Sequence, residues 1–280
     1  MGGPGGSDSL NSAPEISRLS LNQITTNNWS LKEAVEGCVR AGLEWIGIWR
    51  HKIEPLEESV RIVKDSGLGV SGLCRGGMFP AATVEERRRR IEDNLHAIDE
   101  AAALGTDVLV LVNGPAPDRD IAGARSMVAD GIASIIPHAR ERGVKLAIEP
   151  LHPMFAAERS VICTLREANR LAERLDSPDV GIIVDVYHVW WDPDLYEEIE
   201  KASGRILGFH VSDWIVPTPD MLMGRGMMGD GVIEIRKIRQ AVERAGYTGP
   251  IEVEIFNQEI WDAPGDEVLA RMKDAYLAHV

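Results

Sequence analysis

The stretch Lys145–Met154, KLAIEPLHPM, ends a short apolar run with a carboxylate, a proline and a histidine. A carboxylate at the exit of a buried strand is costly unless a cation or a hydrogen-bond donor meets it. Three further segments share this form: VGIIVDVYH (Val180–His188), RILGFHVSDW (Arg205–Trp214) and PIEVEIF (Pro250–Phe256). Together they offer Glu149, Asp185, His210 and Glu254 as metal ligands. Three carboxylates and one imidazole make a hard, oxygen-rich donor set that favours Mn²⁺, with Mg²⁺, Co²⁺ or Zn²⁺ as alternatives. In an octahedral shell, four protein ligands leave about two positions for vicinal oxygens of a substrate. Any one of these residues alone could be explained by a salt bridge or a loop cap. Four at successive strand ends would each need a separate buried partner unless they share one cation.

Other side chains surround this set. His152 lies beyond the strand exit behind Pro150 and reads as a base or substrate ligand, since an imidazole with a pKa of about 6.5 can take up a proton at neutral pH. The plain alternative is a hydrogen bond to a loop carbonyl. His188 stands to Asp185 as His152 stands to Glu149, and suits a substrate hydroxyl or the metal. Arg225, in MLMGRGMMGDG, is flanked by glycine and methionine and reads as a mobile lid residue that grips an oxygen or phosphate. Asp213 and Trp214 read as support and sugar-stacking wall, and Trp190 with Trp191 as an aromatic pair suited to a sugar face. Arg50, beside His51, completes the substrate-binding candidates.

These residues need elements that bring them to one place. From Arg18 onward, strand-like runs alternate with helical periodicity. Strands are expected at Arg18–Thr25, Trp45–Arg50, Val70–Arg75, Asp107–Gly114, Lys145–Leu151, Val180–His188, Ile206–Trp214 and Ile251–Phe256. Between and after them, helices are expected at 30–41, 54–66, 84–104, 121–142, 164–175, 195–203, 235–245 and 267–279. Gly42, Gly67, Gly105, Gly143 and Gly246 mark helix ends. Eight consecutive strand–helix units with near-continuous apolar strands predict a (β/α)8 barrel in one domain, 15–280, in which chemistry sits at the C-terminal ends of the strands. An open doubly wound sheet would more often carry a glycine-rich phosphate turn after its first strand, and NQITTNNW has none.

Composition narrows the function. With 280 residues the chain suits one barrel of about 250 residues, and Met1–Pro14, rich in Gly, Ser and Pro, is expected to be a flexible tail. A formal net charge of −14 repels a phosphate backbone, which argues against nucleic acid as a partner. The run EERRRR (Glu85–Arg90) opens a long helix and is followed by IEDN, so it reads as a salt-bridged outer face. No apolar run approaches the roughly 20 residues of a membrane span, and none near the start resembles a signal peptide, so a cytoplasmic protein without membrane partners is expected. Three scattered cysteines, Cys38, Cys74 and Cys163, read as reduced wall residues.

The motifs IEPLHPM, VDVYHVWWDP, FHVSDW, GRGMMGDG and VEIF resemble those of the sugar phosphate isomerase/epimerase family, which has the xylose isomerase-like TIM barrel. The resemblance runs from about Leu19 to the C-terminus, and its four metal positions fall on Glu149, Asp185, His210 and Glu254. It implies a metal-dependent isomerase or epimerase of a keto-sugar or related polyol, working through a cis-enediolate. As in ketose 3-epimerases, Glu149 and Glu254 would then be the catalytic pair that removes and returns the proton. EPLHPM and VYHVWWDP also resemble the catalytic subunit of bacterial C-glycoside deglycosidases. That likeness implies a lyase that eliminates the aglycone from a 3-keto-glycoside with His152 as catalytic base. The partners implied are a sugar or glycoside, further copies packed through outer helices, or a small second subunit. A sugar-binding or structural subunit without turnover is the non-enzymatic alternative.

Overall fold

The computed structural model describes residues 16–280; the expected tail lies outside the described residues. Eight parallel strands close into a barrel: β1 (Leu19–Asn22), β2 (Trp45–Trp49), β3 (Gly69–Gly77), β4 (Val108–Val112), β5 (Lys145–Glu149), β6 (Val180–Asp185), β7 (Ile206–Val211) and β10 (Ile251–Val253). Each pairs with its neighbours in sequence, and β1 closes the ring on β10 through Leu19 opposite Ile251. Every residue of β4 and β6 is buried. That explains their unbroken apolar runs, since one face fills the barrel and the other meets the helices.

The outer ring comprises α1 (Leu31–Ala41), α2 (Leu56–Ser66), α3 (Val84–Leu104), α4 (Ile121–Arg142), α5 (Leu165–Leu175), α7 (Leu195–Lys201), α8 (Ile235–Arg244) and α10 (Gly265–His279). Local chemistry sets their ends. Ser30 with Glu33 and Thr83 with Glu86 form reciprocal capping boxes, so orphan amides at both helix starts are satisfied. Gly42, Gly105 and Gly143 end α1, α3 and α4 in the left-handed conformation. On α5, Leu165, Ala168, Leu171 and Ala172 are buried at helical spacing. The basic run of α3 is spent locally: Arg88 bonds Glu85 and Glu92, Arg89 bonds Glu85, and Arg90 donates to the carbonyls of Met78 and Pro80.

Seven of the eight strands end one to three residues earlier than the apolar pattern suggests, and β3 alone runs longer, to Gly77. β6 stops at Asp185, and Val186–Val189 forms a short helix, α6, because the Asp185 carboxylate accepts from Tyr187 N at 2.8 Å. β1 stops at Asn22, whose side chain accepts from Ile24 N at 3.0 Å and starts a 3₁₀ turn. β10 stops at Val253, one residue before Glu254. After β7, Asp213–Trp214 (β8) pairs antiparallel with Arg225–Gly226 (β9), folding the intervening loop over the barrel mouth. A short helix, α9 (Gln258–Asp262), follows β10. The three cysteines are buried and unpaired. Among the described residues, no helix is long and apolar enough to cross a membrane.

Candidate metal centre

Glu149 is the last residue of β5 and Asp185 the last of β6; His210 lies on β7, and Glu254 follows β10 directly. Register sets Asp185 opposite His210, while Glu149 and Glu254 reach the same point from the ends of their own strands. All four are buried, and one donor atom from each lies within 4.8 Å of the others. Their unsatisfied valences point to a shared occupant. Glu149 Oε1 and His210 Nδ1 lie 3.4 Å apart, an ion pair when the ring is protonated, and neither buried atom makes a hydrogen bond to any other group. Buried polar atoms rarely stay unmet, and a cation coordinated by both the imidazole nitrogen and the carboxylate oxygen would satisfy them, as a proton on the ring does in its absence. The donor set thus fits a divalent ion.

Arg225 supplies the fixed charge beside this cluster. Its Nη1 donates to Asp185 Oδ2 at 2.9 Å and to Glu254 Oε2 at 3.0 Å, while the guanidinium carbon lies 4.5 Å from the Tyr187 ring centroid. The expectation of a mobile lid residue is corrected here: β9 carries Arg225 inward and buries it. Burial alone would raise the Asp185 carboxyl, but Arg225 and nearby histidines outweigh it and hold it below the usual range. Burial raises Glu254, with Arg225 opposing and Glu149 adding to the rise. His210 shows the reverse balance. Burial opposes its charge, yet Glu252, Glu149 and Glu254 together push it up to about 10.

Glu252, unnoticed in the sequence reading, stands one tier deeper on the same face of β10. Its carboxylate accepts from Asn22 Nδ2 and from Ser71 Oγ, both at 2.5 Å, and approaches His210 Nε2 at 3.9 Å. Gly47 on β2 makes room for it, since a Cβ there would lie 2.3 Å from Glu252 Oε1. The signal was present: Glu252 and Glu254 are two residues apart on one strand and so share the inner face.

The remaining candidates divide. His188 is buried and neutral, pushed down to about 3 by burial against the pull of Asp185. Its Nδ1 accepts from the backbone N–H of His152 at 3.2 Å, and its Nε2 lies 3.1 Å from Arg225 Nη2. His152 is half-buried between the rings of Trp191 and Trp214, at 5.4 and 5.2 Å. Burial lowers its pKa. Its Nδ1 accepts from Met154 N at 3.2 Å, which leaves the proton of the neutral ring on Nε2. Trp191 donates to His188 O at 2.8 Å. Asp213 faces the loop instead, accepting from the backbone of Trp214, Gly229 and Ile233. Arg50 is not brought to the cluster. It turns outward to Asp93 and Glu100 of α3, because Trp49 takes the inward position of the alternating strand. The cavity above the cluster holds about 30 Å³ and is bordered by Trp49, Arg75, Glu149, Arg159, His188, Leu222, Arg225, Glu254 and Phe256. Trp49, Arg75, Arg159 and Phe256 were not among the predicted site residues.

Comparison with known proteins agrees with this fold. The xylose isomerase-like TIM barrel family model matches residues 35–275, and the chain belongs to that family. A crystal structure of protein SMc04130 from Sinorhizobium meliloti 1021 is 48% identical, with a TM-score of 0.93, over 95% of this chain and 99% of that one. A 3-dehydroshikimate dehydratase of Pseudomonas aeruginosa is 25% identical over 84% of this chain. The chain spans only 37% of that enzyme's length. An L-ribulose-5-phosphate 3-epimerase of Shigella sonnei is 22% identical over 76% of this chain and 73% of its own. Relatives of this chain are thus sugar isomerases or epimerases and dehydratases, and a buried acid–histidine cluster compatible with a divalent metal lies at its barrel mouth.

Proposed function

We propose that this protein is a divalent-metal-dependent isomerase or epimerase that takes a proton from the carbon beside the carbonyl of a keto-sugar or related polyol. The observation that carries this reading is the convergence of four buried donor atoms within 4.8 Å, with Glu149 Oε1 and His210 Nδ1 making no hydrogen bond. Glu149, Asp185, His210 and Glu254 would hold the ion, with Mn²⁺ favoured by the oxygen-rich set. When bound, a divalent ion supplies Lewis acidity that makes a C–H beside a carbonyl more acidic. Glu254 and Glu149, whose carboxylates reach the same cluster from either side of β6 and β7, are the groups placed to accept and return that proton. Arg225 stays fixed by Asp185 and Glu254 and balances negative charge developing on substrate oxygen.

A cavity of about 30 Å³ holds water or an ion but not a sugar. A sugar therefore needs a wider mouth than this, and Leu222, between β8 and β9, is one of the side chains that narrow it. Elimination from a 3-keto-glycoside ranks second. It needs a free nitrogen on His152, and Nδ1 is engaged by Met154 N while Nε2 carries the proton. Three unpaired cysteines fit the reducing cytoplasm. Elemental analysis tests the reading: the purified protein should hold about one Mn²⁺ or similar ion per four-ligand site, and Glu149→Gln or Asp185→Asn should remove metal and activity together. A folded protein that binds no divalent ion, or a sugar binder indifferent to both changes, would overturn it.

A further inference from the structure

Two arginines on the cavity wall have nothing to hold. Arg75 lies on β3 and Arg159 in the loop after β5, and both border the same cavity as Glu149, Glu254 and Arg225. Arg225 is spent on Asp185 and Glu254. Among the described residues, neither Arg75 nor Arg159 forms a side-chain hydrogen bond or ion pair. In a chain of net charge −14, carboxylates are abundant enough that a half-buried, unpaired arginine pair calls for a partner from outside.

The backbone holds Arg159 at this place. Its carbonyl accepts from Gly114 N at 2.9 Å and its N–H donates to Phe155 O at 2.9 Å, so the loop is pinned against the exit of β4. Its guanidinium carbon lies 5.5 Å from the Phe155 ring centroid, a face contact that orients the fork without consuming its N–H donors. Burial, and after it the positive charges of Arg75 and Arg225, hold Arg159 below its usual pKa. Arg159 is thus repelled by both neighbouring guanidinium groups, and the attraction of Glu158 and Glu254 does not offset burial and this repulsion. An anion between Arg75 and Arg159 would relieve that repulsion and meet planar, bidentate donors suited to carboxylate or phosphate oxygens.

We propose that Arg75 and Arg159 form an oxyanion subsite of this cavity, so that the substrate is a sugar acid or sugar phosphate whose anionic end lies apart from its carbonyl. The proposal rests on the reading of the cavity as a keto-sugar site. A neutral glycoside would leave both arginines unmatched, at the cost of desolvating them.

The test is calorimetric binding of matched probes to Mn²⁺-loaded protein: D-xylulose against D-xylulose 5-phosphate, and D-fructose against D-fructuronate. The anionic member of one pair should bind roughly ten- to a hundredfold more tightly. Preference for phosphate or for carboxylate identifies which anion the subsite takes. In R75M/R159M the ratio of anionic to neutral affinity should fall to near one; the single variants R75M and R159M carry the same test if the double variant does not fold. Equal affinities for neutral and anionic probes, with D-xylulose still exchanging deuterium, would overturn the oxyanion subsite and leave the keto-sugar reading standing. A preference that survives both substitutions would also overturn it. Failure of all four probes to bind metal-loaded protein would overturn both.

Discussion

Metal binding at this centre must expel a proton. In the metal-free protein, Glu252, Glu149 and Glu254 overcome burial and raise His210 from 6.5 to about 10, so at pH 7 the imidazole is almost wholly protonated. An imidazolium cannot ligate a metal. Deprotonating it at pH 7 costs about 1.4 kcal/mol per pH unit below its pKa, or roughly 4 kcal/mol. That corresponds to about a thousandfold in apparent affinity, which is recovered as pH approaches 10. The sign follows from the raised pKa: apparent affinity should rise about tenfold per pH unit between about pH 8 and 10, more steeply below, and level off above about pH 10. Glu254, raised by burial, adds a second proton in the lower part of that range. Calorimetry with Mn²⁺ in buffers of different ionisation enthalpy counts the protons directly. Near pH 9 the count should be about one, and toward pH 7 it should exceed one. Glu252→Gln removes the strongest of the neighbours that favour the charged ring and should lower the count at pH 9. A pH-independent affinity with no proton released would refute the charge arrangement around His210.

Other substitutions probe the supports of the site. Gly47→Ala sets a methyl 2.3 Å from Glu252 Oε1 and should cost about 1–3 kcal/mol of stability in denaturant unfolding. Asp213→Ala strips acceptors from three backbone amides of the mouth loop; a loss of about 2–4 kcal/mol with metal content retained is expected. His152→Ala removes a ring outside the four-ligand set and should leave Mn²⁺ bound, as elemental analysis would show. Loss of metal in that variant would place His152 in the coordination shell.

The four candidate ligands were legible because a parallel barrel strand is apolar until it reaches the mouth, so a single polar residue at the end of such a run marks the active face. The same alternation could have found Glu252, two residues before Glu254, and could have placed Trp49 rather than Arg50 inside. Other features had no local signature. Val186 and Tyr187 continue the β-favouring run of the strand before them, and the Asp185 carboxylate capturing Tyr187 N turns the chain into a helix there. Arg225 looked mobile among glycines, but the pairing of Asp213–Trp214 with Arg225–Gly226 is a contact across a long loop that no sequence period announces. Arg159 sits in an aperiodic loop, and its place on the cavity wall depends on Gly114, far away in sequence.

The central claim is proton removal beside a carbonyl. Metal-loaded protein incubated in D₂O with neutral and anionic ketoses, then filtered and followed by proton NMR of the sugar, tests it directly. Deuterium entering the carbon next to the carbonyl, with a new epimer or aldose appearing at the same rate or more slowly, is the predicted result. Metal bound at the four-ligand site with no exchange in any ketose, and release of an aglycone from a 3-keto-glycoside instead, would contradict the account.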